Sequence, residues 1–140
     1  MADWEILLQL VKEFHQLEDV NLSEQKRVTA LTMLVENAEL GGIWLISYNN
    51  QIVGYIALCI GYSIEFSGQD AFIDEFYLRS DYRGKGLGKQ ALDQIKILAK
   101  QRGLQALHLE VDRSNSRAQR LYANAGFEAR EKYILMSAKL

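Results

Sequence analysis

The chain has 140 residues, 49% hydrophobic and 24% charged, which bounds it to one ordinary globular domain with a sizeable core. Sixteen Lys and Arg against eighteen Asp and Glu leave a formal net charge of -2, without the basic field that non-specific nucleic-acid binding requires. A single cysteine, Cys59, excludes an internal disulfide and any multi-thiolate metal site, so no metal is expected.

The opening Met-Ala-Asp-Trp-Glu carries no basic segment ahead of an apolar run, so no secretory leader is read and a soluble, cytoplasmic protein is expected. Trp4, Leu7, Leu8, Val11 and Phe14 recur at helical spacing and predict an amphipathic helix over 3–17. Ser23 is the expected N-cap of a second helix, which carries Val28, Leu31, Leu34 and Val35 inward and stops at Leu40-Gly41-Gly42. Strands follow at 43–47 and 51–60, joined by a hairpin at Tyr48-Asn49-Asn50, and a third at 71–78. The longest apolar run, Ile52 to Tyr62, is broken by Gly54 and Gly61 and is too short to span a membrane.

A polar, glycine-rich segment runs from Arg79 to Gly88, and helical spacing returns from Leu87 to Gly103. A strand at 106–111, a helix at 116–125 closed by Gly126, and a strand over most of 127–139 complete the chain. No proline, linker or repeat marks an internal boundary. The order α-α-β-β-β-α-β-α-β predicts an α/β fold, with a hairpin followed by a βαβ crossover and helices on the faces of a mixed sheet.

The segment Arg83-Gly84-Lys85-Gly86-Leu87-Gly88, followed by Lys89, lies between a strand and a helix. Its glycines permit positive φ and close backbone approach, and N–H groups at a helix N-terminus bind phosphate oxygens. Arg83, Lys85 and Lys89 add positive charge. A P-loop is excluded, because neither Gly84-Lys85 nor Gly88-Lys89 is followed by Ser or Thr. A dinucleotide fingerprint can be laid on Gly86 to Ala91 with Glu110 downstream. The polar stretch Arg79 to Arg83 ahead of the glycines and the short chain argue against it.

Arg83-x-x-Gly86-x-Gly88 resembles the coenzyme A pyrophosphate loop of the GNAT family of N-acetyltransferases. Asn115-Ser-Arg-Ala118-Gln-Arg-Leu121-Tyr122-Ala-Asn-Ala-Gly126-Phe127 resembles that family's second signature, Asn-x-x-Ala-x-x-Leu-Tyr-x-x-x-Gly-Phe, position for position. The resemblance runs from Ile43 to Leu140, and it departs from the family in a first strand, ahead of the first helix, that is missing or very short. It implies a mostly antiparallel central sheet, acetyl-CoA as donor, and a single acetyltransferase domain over 1–140. Residues 3–40 would form the substrate-side helices and residues 43–140 the cofactor-binding core. It also implies cofactor contacts from Phe76, Leu78, the 83–89 loop, Asn115 and Tyr122, and a homodimer.

Acetyl transfer to an amine needs a base for the ammonium proton, a polarised carbonyl and an acid for the leaving thiolate. Asp74 and Glu75 lie inside the apolar strand Phe72 to Leu78, where adjacent carboxylates are costly without a purpose. Alternation puts Asp74 on the face of Phe72 and Phe76, and Glu75 on that of Ile73 and Tyr77. The resemblance favours Asp74 as base, with Glu75 next, and a backbone N–H near Leu78 for the carbonyl. Tyr122 is implied as the acid; a phenol, with an ordinary pKa of about 10, is a proton donor at neutral pH. Asn115 serves equally as a helix N-cap. His15 and His108 lack a third ligand at fixed spacing and read as structural or surface residues, and Cys59 as core.

Glu18, Asp19, Glu65, Asp70, Asp74 and Glu75 form an acidic rim suited to a small cationic amine. The run from Gly61 to Arg83 is similar to the diamine acetyltransferases of the family. A protein or peptide amine, an aminoglycoside, and a non-catalytic acyl-CoA-binding domain stay open as alternatives.

Overall fold

In a computed structural model, residues 3–140 are described. They fall into two compact units divided between Glu110 and Val111. In the first unit, α1 (Trp4–Leu17) and α2 (Glu24–Glu36) precede the sheet. Ser23 caps α2 as the sequence predicts, its hydroxyl accepting the Lys26 N–H at 3.3 Å. The helix stops short of Leu40. Asn37 takes an extended conformation and turns its side-chain amide back to the Met33 carbonyl at 2.7 Å, competing with the helical ladder.

β1 (Gly41–Tyr48), β2 (Gln51–Ser63) and β3 (Gly68–Leu78) run antiparallel in turn, and β4 (Leu107–His108) lies parallel to β3. Asn49 and Asn50, both at positive φ (51° and 64°), make the turn that matches the twist of a two-residue hairpin. α3 (Leu87–Gln101) supplies the crossover from β3 to β4. The result is the expected mixed, mostly antiparallel sheet, ordered β1-β2-β3-β4.

Leu7, Leu10 and Val11 of α1 and Leu31 of α2 bury themselves against Tyr55, Ala57 and Tyr77 on one face. Each such side chain contributes roughly 1.5–3 kcal/mol on burial. Leu87, at the start of α3, packs with Val53 and Leu78. Leu78 alternates with Tyr77, so α3 begins on the opposite face.

In the second unit, α4 (Ser116–Asn124) starts at Asn115, whose side-chain oxygen accepts the Ala118 N–H at 3.0 Å. Two sequence expectations fail. The strand over 106–111 shrinks to Leu107–His108, because Asp112 begins a turn in which it accepts both the N–H and the hydroxyl of Ser114. No strand forms over 127–139 among the described residues. The charged run Arg130-Glu131-Lys132 turns instead, with the Tyr133 N–H donating to the Arg130 carbonyl at 3.0 Å. No helix among the described residues is long and apolar enough to cross a membrane.

Candidate functional site

A short 3₁₀ turn, Ser80–Tyr82, carries the chain from β3 into the glycine loop. Gly84 and Gly86 stand at φ 75° and 80°, and Gly86 is the N-cap of α3. Gly88 lies inside α3, so two glycines rather than three use left-handed backbone. The Gln90 N–H donates to the Gly86 carbonyl at 3.1 Å, which leaves the amides of the first helical turn directed out of the helix. A Cβ built on Gly86 would meet nothing within 4 Å, so the approach to these amides is open. This cradle suits a pyrophosphate.

The loop's cations are partly engaged. Lys89 pairs with Asp93 at 2.8 Å. Lys85 lies over the rings of Tyr48 and Tyr82, at 5.5 and 5.8 Å. Arg83 donates from Nε to the Leu78 carbonyl at 2.8 Å and stacks 5.8 Å from the Tyr77 ring centre.

β3 presents an open edge above this loop. Its pairing with β4 covers only Ala71 and Phe72, so from Ile73 to Leu78 it is laddered on the β2 side alone among the described residues. The Arg79 N–H donates to the Val53 carbonyl at 2.9 Å. Alternation along an antiparallel ladder then turns the backbone groups of Leu78 away from β2, where Arg83 meets the Leu78 carbonyl. The Leu78 side chain is buried, so only its backbone is available to a ligand.

The two carboxylates are not disposed by simple alternation. Glu75 pairs with Ala57 and Ile73 with Leu58, so Asp74 is the extra residue of a β-bulge. Cross-strand partners share a face. Glu75 therefore lies on the α1 side with Ala57, and Ile73 on the other, against the sequence expectation. Asp74 is exposed. Burial first, and then the charges of both carboxylates, push the Tyr55 hydroxyl and the Cys59 thiol up from their ordinary values. Both carboxylates are thus felt at the same two residues of β2.

Glu75 is gripped from two elements: Tyr55 donates its hydroxyl to Oε1 at 2.8 Å, and His15 Nε2 lies 2.7 Å from Oε2. Nearby, Arg79 makes a two-pronged contact with Glu13, at 3.0 and 2.8 Å, and Tyr77 donates to the same carboxylate. The Arg79 hydrogen bonds hold the Glu13 carboxyl below its usual range. The acidic rim is smaller than the sequence implies. Glu75 is engaged as described, and Asp70 pairs with His108 at 2.9 Å, the imidazole lying between the Phe66 and Phe72 rings. His15, Arg27 and Tyr55 were not marked by any local sequence signal.

In the second unit, Asn115 acts as the cap of α4, and the half-buried Tyr122 meets Phe127 edge-on at 6.1 Å between ring centres.

Residues 4–127 match the model of the acetyltransferase (GNAT) family. Over 99 residues the chain is 39% identical to the N-acetyltransferase YycN of Bacillus subtilis, covering 70% of this chain and 61% of that one. Over 75 residues it is 31% identical to a thialysine N-epsilon-acetyltransferase of Bos taurus, covering 54% and 44%. The chain therefore spans less than two thirds of the length of either curated relative. An integron cassette protein from the mobile metagenome of Cole Harbour Salt Marsh superposes with a TM-score of 0.86 at 35% identity, covering 98% of this chain and 85% of that one.

Proposed function

The chain belongs to the acetyltransferase (GNAT) family, and from that premise we propose that it moves an acetyl group from acetyl-CoA to a primary amine, directly, in a ternary complex. The acceptor is a small cationic amine. The observation that carries the donor assignment is the open cradle at Gly86, where left-handed backbone turns the first amides of α3 outward. The acceptor assignment is supported by the carboxylates at the β3 bulge and by the amine named in the thialysine relative.

The loop 83–89 holds the pyrophosphate, and the Leu78 backbone at the β3 edge takes the pantetheine arm; the family resemblance adds Phe76 and Asn115 as cofactor contacts. When bound, acetyl-CoA supplies a thioester whose acyl carbon is open to a neutral amine. Asp74, exposed at the bulge, accepts the proton that an ammonium must shed before it can attack. The backbone N–H near Leu78 polarises the carbonyl oxygen as it gains charge. Tyr122 gives its hydroxyl proton to the departing sulfur, and the second proton that the attacking nitrogen sheds restores the phenol through solvent, so that free thiol and acetylated amine leave with one net proton passed to Asp74.

The test is a panel of amines with acetyl-CoA, read as free thiol release. Diamines and lysine-like amines are expected to turn over ahead of neutral and anionic acceptors. Tight acetyl-CoA binding with no thiol release from any amine would overturn the reading.

A further inference from the structure

Between α1, α2 and β3 the first unit buries a polar chain that the proposed proton transfers do not use. Arg27 is 7% exposed and His15 6%. Arg27 donates from Nε to His15 Nδ1 at 3.2 Å, and His15 Nε2 lies 2.7 Å from Glu75 Oε2. The guanidinium is anchored from behind by Glu24, at 2.7 Å, and by the Leu22 carbonyl, at 3.1 Å.

Counting hydrogens settles the tautomer. A guanidinium has only donors and keeps its protons, so the Nδ1 that faces it must present a lone pair. The ring proton then sits on Nε2 and is donated to Glu75. The same count rules out a proton wire, since a proton entering at Nε2 has no acceptor beyond Nδ1. His15 instead works as a rigid spacer that carries the field of Arg27 to Glu75 and fixes its rotamer. Each Glu75 oxygen accepts one described hydrogen bond and keeps capacity for another, and the side chain is 20% exposed. Glu13 of α1, a second carboxylate nearby, is already taken by Arg79 and Tyr77.

We propose that His15, locked by Arg27 as the Nε2–H tautomer, is a positioning residue that holds Glu75 as a fixed anion for the acceptor's ammonium group, which Glu75 binds without taking its proton. The inference rests on the acetyltransferase reading, and its test separates the two.

The first measurement needs no turnover. With histidine labelled in nitrogen-15, the His15 ring should show its proton on Nε2 alone. Arg27→Met, which removes the donor to Nδ1, should let both tautomers appear. A wild-type ring protonated on Nδ1, or exchanging between tautomers, would overturn the lock.

The second uses 1,5-diaminopentane as the probe, by calorimetry and by steady-state kinetics. His15→Leu is expected to raise KM about tenfold or more, with kcat within about threefold. His15→Gln, which keeps a donor toward Glu75, should recover most of the loss, and thermal melts should show both variants folded. Unchanged KM in folded His15→Leu, or a loss confined to kcat, would overturn the proposal. If the wild type releases no thiol with any amine, the acetyltransferase reading has failed. Calorimetry then decides the anchor by itself, and absence of diamine binding overturns it.

Discussion

Asp74 and Glu75 adjoin in sequence, yet only Glu75 has a partner across the sheet, Ala57; Asp74 is the extra residue of the bulge. Both charges nevertheless reach Cys59, whose thiol is pushed up by burial first, then by Asp74 and Glu75. Removing one charge should therefore ease thiolate formation. Asp74→Asn is expected to quicken alkylation of Cys59 at pH 8 by a few-fold, because a larger share of the thiol then ionises. An unchanged rate would place Asp74 outside electrostatic reach of β2.

The cradle predicts a separation of binding from folding. Gly86 stands at φ 80° with open space around its missing side chain. Gly86→Val puts a branched group at the amides of α3 and strains the backbone by about 1–2 kcal/mol. Acetyl-CoA affinity by calorimetry should fall at least about tenfold while circular dichroism stays native. Undiminished affinity would move the pyrophosphate elsewhere.

Glu13 makes the stability of the first unit depend on pH. Its folded pKa is depressed below the ordinary 4.5, chiefly by hydrogen bonds from Arg79. Stabilisation from a depressed carboxylate is fully present above the unfolded value and is lost as pH falls through the folded one. Both side chains are partly exposed, at 33% and 24%, so solvent screening reduces the effect. Glu13→Gln is expected to cost about 1–2 kcal/mol at pH 7 by denaturant melts. The gap should narrow as pH drops below the ordinary value of 4.5.

What the sequence revealed divides by the range of the interaction. The Ser23 cap, the Asn49-Asn50 turn and the Arg83 to Gly88 loop are written in neighbouring residues, where local chemistry decides conformation. His15 and Glu75 lie 60 positions apart, and only the docking of α1 on the sheet makes them partners. The bulge at Asp74 is a matter of register, which no residue type announces. The strand expected over most of 127–139 does not form among the described residues, because apolar character permits a strand without specifying one, and the charged Arg130-Glu131-Lys132 run turns the chain instead.

Tyr122→Phe tests the acid without disturbing the edge-on contact with Phe127. The ring stays and the proton goes. We expect kcat to fall by about 10²-fold or more, the usual scale for a lost general acid, with a near-normal melting temperature. Full activity would reduce Tyr122 to packing.

The assignment of the base rests on the contrast at the bulge. Glu75 is gripped by Tyr55 and His15, while Asp74 is exposed. A carboxylate base works only when ionised, so kcat/KM should show an acid limb that belongs to the base. Asp74→Asn keeps the shape and removes the charge; it should flatten that limb and lower kcat by about 10²-fold. Glu75→Gln leaves one oxygen and a donor where two acceptors stood, so it breaks the contact with either His15 or Tyr55. Its expected signature is a raised KM for cationic acceptors, with the acid limb kept. Loss of the limb in Glu75→Gln and its survival in Asp74→Asn would exchange the two roles. Survival in both would mean that neither carboxylate takes the proton.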